Sequence, residues 1–264
     1  ILTFTGSGPV GRMLLKASAE SNLKRVYLEL GGKSPNIVFS DATDLAQAAK
    51  VSALGIYRNS GQVCVAGSRL LVQREVHDEF VERLHNIAAK LREGDPLDVS
   101  TEIGAVSSAR QLAKNLMAVQ TAQIEGARLV VGGQALHPIE GGNYMAPALF
   151  DGVTPNMTLA REEVFGPVLS MQQFDTDAEA IEMANGTEFG LAAVVICGNK
   201  KRAEAITDQL VAGTIWVNCF FVRDLGAPFG GSKKSGIGRE GGIWSFDFYA
   251  DVKNTVFAPN GWKE

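Results

Sequence analysis

Cysteine is nearly absent from this chain, with three in 264 residues, and none stands at the short spacings of a metal site. An odd, sparse count argues against a disulfide framework and fits a reduced, cytoplasmic compartment. Apolar runs long enough to cross a membrane are missing, so no membrane partner is expected. Positive charge is not concentrated anywhere. Lys and Arg number 25 against 29 Asp and Glu, for a formal net charge of -4, which leaves no electrostatic footprint for nucleic acid. There is no internal repeat and no low-complexity tail. The opening Ile1-Leu2-Thr3-Phe4-Thr5 has no Met and lacks the basic n-region of a signal peptide. It reads as a buried strand already under way, and the expectation is a chain that starts partway through a domain.

What is present is ordinary for an α/β enzyme: 45% apolar residues, 20% charged and 29 glycines. The length can bury a sizeable core, as one large domain or two unequal ones. A strand over Ile1–Thr5, the turn Gly6-Ser7-Gly8-Pro9-Val10-Gly11, a helix over Arg12–Asn22 and a strand over Arg25–Leu30 make a parallel pair. Strands follow at Asn36–Phe39, Arg69–Val72, Arg128–Val131, Val168–Met171, Ala192–Ile196 and Thr214–Asn218. Between them run helical patterns from Asp44-Leu45 through Tyr57, with Asp41 or Thr43 as cap, and over Val76–Arg92, Gln111–Glu125, Ala178–Ala184 and Lys200–Leu210. The alternation predicts a mostly parallel α/β sheet. Pro228–Gly242 is glycine-rich and loop-like, and Phe246–Phe257 is an aromatic, β-prone ending.

Two residues stand out chemically. Cys64 taken alone is a small buried hydrophobe, but its surroundings, Asn59-Ser60-Gly61-Gln62-Val63-Cys64-Val65-Ala66-Gly67, are small and polar. Such a loop admits a substrate close to the backbone, and a helix beginning after Cys64 would favour its thiolate. Cys197 lies in an apolar strand and reads as packing. Glu29 sits within Val26-Tyr27-Leu28-Glu29-Leu30, where burial should raise its pKa toward that of a general base; pairing with a structural arginine is the alternative. Gly6-x-Gly8-x-x-Gly11 also fits a dinucleotide-binding turn, and on that pattern Glu29 would be a ribose ligand instead. In either case the helix N-terminus is a phosphate site.

Four segments in order carry a resemblance: Leu28-Glu29-Leu30-Gly31-Gly32-Lys33-Ser34-Pro35, Asn59 through Arg69, Glu162-Glu163-Val164-Phe165-Gly166-Pro167-Val168 and Pro228-Phe229-Gly230-Gly231-Ser232-Lys233. Together they resemble the aldehyde dehydrogenase superfamily, and the chain corresponds to its C-terminal half. The resemblance implies an aldehyde dehydrogenase-like α/β fold. Residues 1–31 would end a Rossmann-type cofactor domain, 32–231 would form the catalytic domain, and 232–264 a return segment with a β oligomerisation strand. It implies Cys64 as nucleophile, through a thiohemiacetal and a thioester, and Glu29 as the base for hydrolysis rather than a ribose ligand. The implied cofactor is NAD, with NADP left open. Its contacts would be Gly6, Ser7, Leu30, Glu163 and Phe165. Phe229 and Cys219 would line the substrate funnel. Parts of the family's site lie upstream of residue 1, so the expectation is that this chain alone does not turn over. A homodimer or homotetramer is implied.

Arg223, in Trp216-Val217-Asn218-Cys219-Phe220-Phe221-Val222-Arg223-Asp224-Leu225, narrows the substrate. The region resembles the branch acting on 5-carboxymethyl-2-hydroxymuconate semialdehyde, in aromatic catabolism. A guanidinium there would hold a remote carboxylate, with a loop salt bridge to Asp224 or another acid as the alternative. The rivals are an oxidase of aminoaldehydes, of γ-glutamyl-aminobutyraldehyde or betaine-aldehyde type, and a non-catalytic protein retaining the fold.

Overall fold

The computed structural model describes residues 1–263; Glu264, the last residue of the expected return segment, lies outside them. The opening unit folds as β1 (Leu2–Thr5), α1 (Gly8–Glu20) and β2 (Val26–Glu29), with β1 and β2 parallel. Val26, Leu28 and Leu30 form its buried face. A Cβ at Gly11 would stand 2.9 Å from Leu30 Cδ2, so this glycine lets α1 lie close on β2. The helix starts at Gly8, ahead of the expected Arg12. Pro9 explains the early start, because the first turn needs no amide hydrogen from it. Gly236–Ile237 returns to pair antiparallel with β2.

The buried stretch Leu30–Ser34 crosses from this small sheet into a seven-stranded one. Its strands, in spatial order, are Thr214–Val217, Ala192–Ile196, β3 (Pro35–Val38), β4 (Arg69–Gln73), Val168–Phe174, Ala148–Asp151 and β5 (Arg128–Val131). All neighbours are parallel except the last pair. Alternate residues of the central strands face two different cores. Val38, Leu70, Val72 and Val194 meet α2 (Leu45–Tyr57) and α3 (His77–Ala88) on one side. Ile37, Leu71 and Val195 meet the helices Asp177–Asn185 and Lys200–Thr207 on the other. Such two-sided burial is why these strands read as continuous apolar runs. A third core packs α4 (Ala109–Ile124) on Phe150 and Val168.

Two expectations need correcting. The cap of α2 is Asp44, whose carboxylate accepts the Gln47 amide at 2.9 Å; Asp41 instead accepts the Asn199 amide. Trp244–Tyr249 is a short helix, and among the described residues no strand lies beyond Ile237. The β-prone tail has no strand edge beside it, and without one its amides and carbonyls form no ladder.

Candidate active site

Glu29 closes β2, in register with Thr5 on one side and Gly236 on the other. Leu28 faces α1, so strand alternation sends the Glu29 carboxyl to the opposite face. There Oε1 lies 2.9 Å from where a Cβ on Gly230 would stand, and among the described residues Oε2 is buried without a partner. Burial is the largest cause that lifts Glu29 to about 7, aided by the charge of Glu240 and opposed by the Gly231 amide and Arg239. This placement keeps the Glu29 carboxyl off the α1 side of the strand.

Cys64 lies on the loop that enters β4. The approach is strained: Asn59, Ser60 and Gly61 are consecutively left-handed, at φ 52°, 55° and 70°. Non-glycine residues pay about 1–3 kcal/mol for that region, and such strain gathers at functional sites. A Cβ at Gly61 would collide with the Gly166 carbonyl, and one at Gly32 with the Cys64 carbonyl. The helix expected after Cys64 does not form. Residues 64–65 make a turn and the chain runs directly into β4, because Ser34 and Ser170 already fix its edges. The thiol therefore has no helix dipole. Burial pushes it up, and the charges of Glu29 and Glu163 push it further, while the Val65 and Cys64 amides pull it down.

The third carboxylate arrives from the far side of the crossing. Glu163 Oε1 accepts the Gly32 amide at 2.9 Å, and a Cβ at Gly31 would collide with its carboxyl. Burial raises the Glu163 pKa. Glu163 and Ser7 line a cleft of about 840 Å³ together with Gly8, Arg12, Lys114 and Lys234. Ser7 caps α1 by position only, its hydroxyl making no cap hydrogen bond, which leaves the first-turn amides open toward the cleft. Gly6 donates its amide to the Glu29 carbonyl. Leu30 and Phe165 are set back from this cleft: Leu30 packs behind Gly11, and Phe165, left-handed at φ 58°, borders a crevice with Gly32 and Gly61.

On the other side, Trp216, Phe220 and Phe221 form an aromatic cluster with centroids 5.2 and 5.6 Å apart. Cys219, Phe229 and Cys64 pack against the same core. Arg223 lies 4.7 Å from the Phe229 ring centroid. The alternative salt bridge with Asp224 is absent among the described residues; Asp224 accepts the Gly226 amide instead.

Three charged residues of this region went unread in the sequence. Lys33 is buried at 1% exposure, its ammonium has no partner among the described residues, and burial lowers it to about 7. Arg69 donates to the Lys33 carbonyl from within β4. Arg58 lies over Phe221. For Lys33 the signal was available: a lysine between Gly32 and the buried strand at Pro35 has nowhere to go but inward.

Comparison with known proteins places this architecture. The aldehyde dehydrogenase family profile matches residues 1–255, and the chain belongs to that family. It is 46% identical over 253 residues to a betaine aldehyde dehydrogenase of Cereibacter sphaeroides, covering 96% of this chain and 52% of that one. The crystal structure of an indole-3-acetaldehyde dehydrogenase with NAD+ superposes with a TM-score of 0.94 at 46% identity, covering 96% of this chain and 51% of that one. A γ-glutamyl-γ-aminobutyraldehyde dehydrogenase of Burkholderia cenocepacia gives 0.90 at 45% identity, over 93% and 50%. The chain thus spans about half the length of the relatives it matches. The fold is aldehyde dehydrogenase-like throughout.

Proposed function

We propose that this chain carries the catalytic half of an enzyme that oxidises an aldehyde to a carboxylic acid with a nicotinamide dinucleotide, NAD in the first instance. The observation that supports this most is the single crossing at Leu30–Ser34, which sets Glu163 against Gly31 and Gly32 and the Cys64 carbonyl against Gly32, directly after Glu29, whose charge acts on the Cys64 thiol. The large cleft suits a dinucleotide. Open amides at the start of α1 and the cations Arg12 and Lys114 suit phosphate, and Glu163 suits ribose hydroxyls. In this assignment Gly6, Ser7 and Glu163 hold the cofactor, with Leu30 and Phe165 as its backing. Residues 1–31 belong to its domain and 32–231 to the catalytic one. Bound there, the dinucleotide supplies the acceptor for two electrons.

The chain's own residues do the rest. Cys64 Sγ attacks the aldehyde carbon and forms a C–S bond, giving a thiohemiacetal whose oxyanion is met by amides of the same loop. Oxidation leaves an acyl group on sulfur. Glu29 then takes a proton from water, the water oxygen attacks the acyl carbon, and the C–S bond breaks to return the thiol. Cys219 and Phe229 flank the path. The exposed tail, with Val252, Val256 and Phe257, is the surface through which copies would pair, as dimer or tetramer.

For substrate we favour a carboxylate-bearing semialdehyde of the 5-carboxymethyl-2-hydroxymuconate type, on the strength of the exposed Arg223 beside Phe229, which makes no ion pair among the described residues. The names of the relatives favour a second reading, an aminoaldehyde or betaine aldehyde. The test of the shared chemistry is aldehyde-dependent reduction of the dinucleotide by the full-length enzyme that carries this chain. Cys64→Ser should lower it by about 10³ or more; retention of activity would overturn the reading.

A further inference from the structure

We propose that Lys33 is a positioning residue of the dinucleotide site, its buried ammonium supplying the counter-charge that keeps the Glu163 carboxylate ionised for the ribose hydroxyls. The proposal rests on the reading of Glu163 as the ribose ligand and adds the group that acts through it.

Lys33 stands on the crossing between the two sheets. It follows Gly32, whose amide donates to Glu163 Oε1 at 2.9 Å, and its own carbonyl accepts from Arg69 Nε at 2.9 Å. Backbone and carboxylate are thus tied together at this point. The side chain runs inward: the residue is 1% exposed, and Nζ has no hydrogen-bond partner among the described residues. Burying a bare ammonium is costly, and a methionine would fill the same place without that cost. What a lysine adds here is its charge.

The charged groups around it leave that charge one use. Burial is the largest cause that lowers Lys33 to about 7; Arg69 from β4 and Lys114 from α4 lower it too, while Glu163 and Glu162 raise it. Arg69 is committed to the carbonyls of Lys33, Met183 and Ala184. Lys233 donates to the Asn185 and Thr187 carbonyls, and Glu188 pairs with Lys234. Glu163 is raised by its own burial, and the Gly32 amide, Lys114 and Lys33 oppose that rise. Lys114 lines the cleft, where a phosphate would compete for it. Lys33 is set apart from the cleft by Phe189, which lines it on one side and on the other borders a crevice of about 10 Å³ with Lys33 and Asn185. A bound dinucleotide therefore leaves the Lys33 charge to Glu163. Once the ligand displaces water from that carboxylate, the attraction between the two strengthens, and an ionised carboxylate accepts hydroxyl donors best. The support is present below about 7 and is lost as pH rises through that value, because Lys33 then gives up its proton.

The experiment uses the full-length enzyme that carries this chain, with the reduced dinucleotide as probe, its fluorescence as readout and no aldehyde present. Lys33→Met should weaken binding about tenfold at pH 6.5 and less than about twofold at pH 8.5. In a Glu163→Gln background the same substitution should change neither value. An equal loss at both pH values, no loss at either, or a loss that survives Glu163→Gln overturns the proposal. A second measurement needs no variant. Binding to the unsubstituted enzyme at pH 7.5 should take up protons, seen as a binding enthalpy that varies with the ionisation enthalpy of the buffer. Proton release, or no exchange, also overturns it. Failure of the unsubstituted enzyme to bind the dinucleotide at either pH is a separate result, and it sinks the reading of the cleft and of Glu163 together with the proposal.

Discussion

Glu29 raises the affinity of the Cys64 thiol for its proton. Each is partly buried, and the carboxylate's charge is among the causes that push the thiol up. With Glu29 lifted to about 7, its basic form appears as pH rises through neutrality, so steps that need it should gain over that interval. Glu29→Gln removes a negative charge beside the sulfur. Alkylation of Cys64 at pH 8 should therefore become a few-fold faster, because the thiol titrates lower. Slower alkylation in that variant would show that Glu29 activates the thiol itself, contrary to the role proposed for it as the base for water. Both residues were legible in the sequence because each stands in a distinctive local string. Lys33 and Arg58 were not, since what makes them unusual lies far off in sequence. Lys33 owes its lowered pKa to burial and Arg69, and Arg58 owes its place to Phe221.

Among the elements, β4 does more than its apolar pattern suggests. Its first residue, Arg69, is buried and donates to the Lys33 carbonyl at 2.9 Å and to the Met183 and Ala184 carbonyls at 2.7 Å each. One guanidinium so fastens the crossing loop to the C-terminal carbonyls of the helix Asp177–Asn185, an end that favours cations. Lys233 holds the same helix end through Asn185 and Thr187. Arg69→Met should strand those carbonyls and lower stability by about 3 kcal/mol, read as a fall in the urea midpoint at constant slope. A loss below about 1 kcal/mol would mean that other donors take over. Strand positions such as Ala192–Ile196 were legible to the residue, because burial on both faces leaves a dense apolar run. The start of α1 and the cap of α2 were less so, since Pro9 and Asp44 act through single hydrogen-bond choices that periodicity does not register. The missing helix after Cys64 has the same origin: small residues there serve close backbone contacts with Gly32 and Gly166 rather than a helical turn.

On the scale of the whole molecule, the site lies where the C-terminal end of the small sheet meets the N-terminal edge of the large one. Glu29 ends β2, while Gly32, Ser68 and Gly166 stand just ahead of β3, β4 and the strand Val168–Phe174. Three of the four motifs each mark a strand entrance at that shared edge, which is why they are spread along the chain; the fourth, Pro228–Lys233, enters the small pair with Phe189–Gly190. A mostly parallel sheet was readable from the alternation of elements, but the strand order that brings those entrances together was not, since order is set by long-range pairing. The central claim is that Cys64 carries the acyl group and Glu29 releases it. The most direct test is the mass of the Cys64 peptide after reaction with aldehyde and dinucleotide, compared between the full-length enzyme that carries this chain and its Glu29→Gln variant. The account predicts that Glu29→Gln accumulates an acyl adduct on Cys64 while the unsubstituted protein clears it. Turnover by Glu29→Gln at the full rate, or an adduct on Cys219 or Cys197 instead, would contradict it.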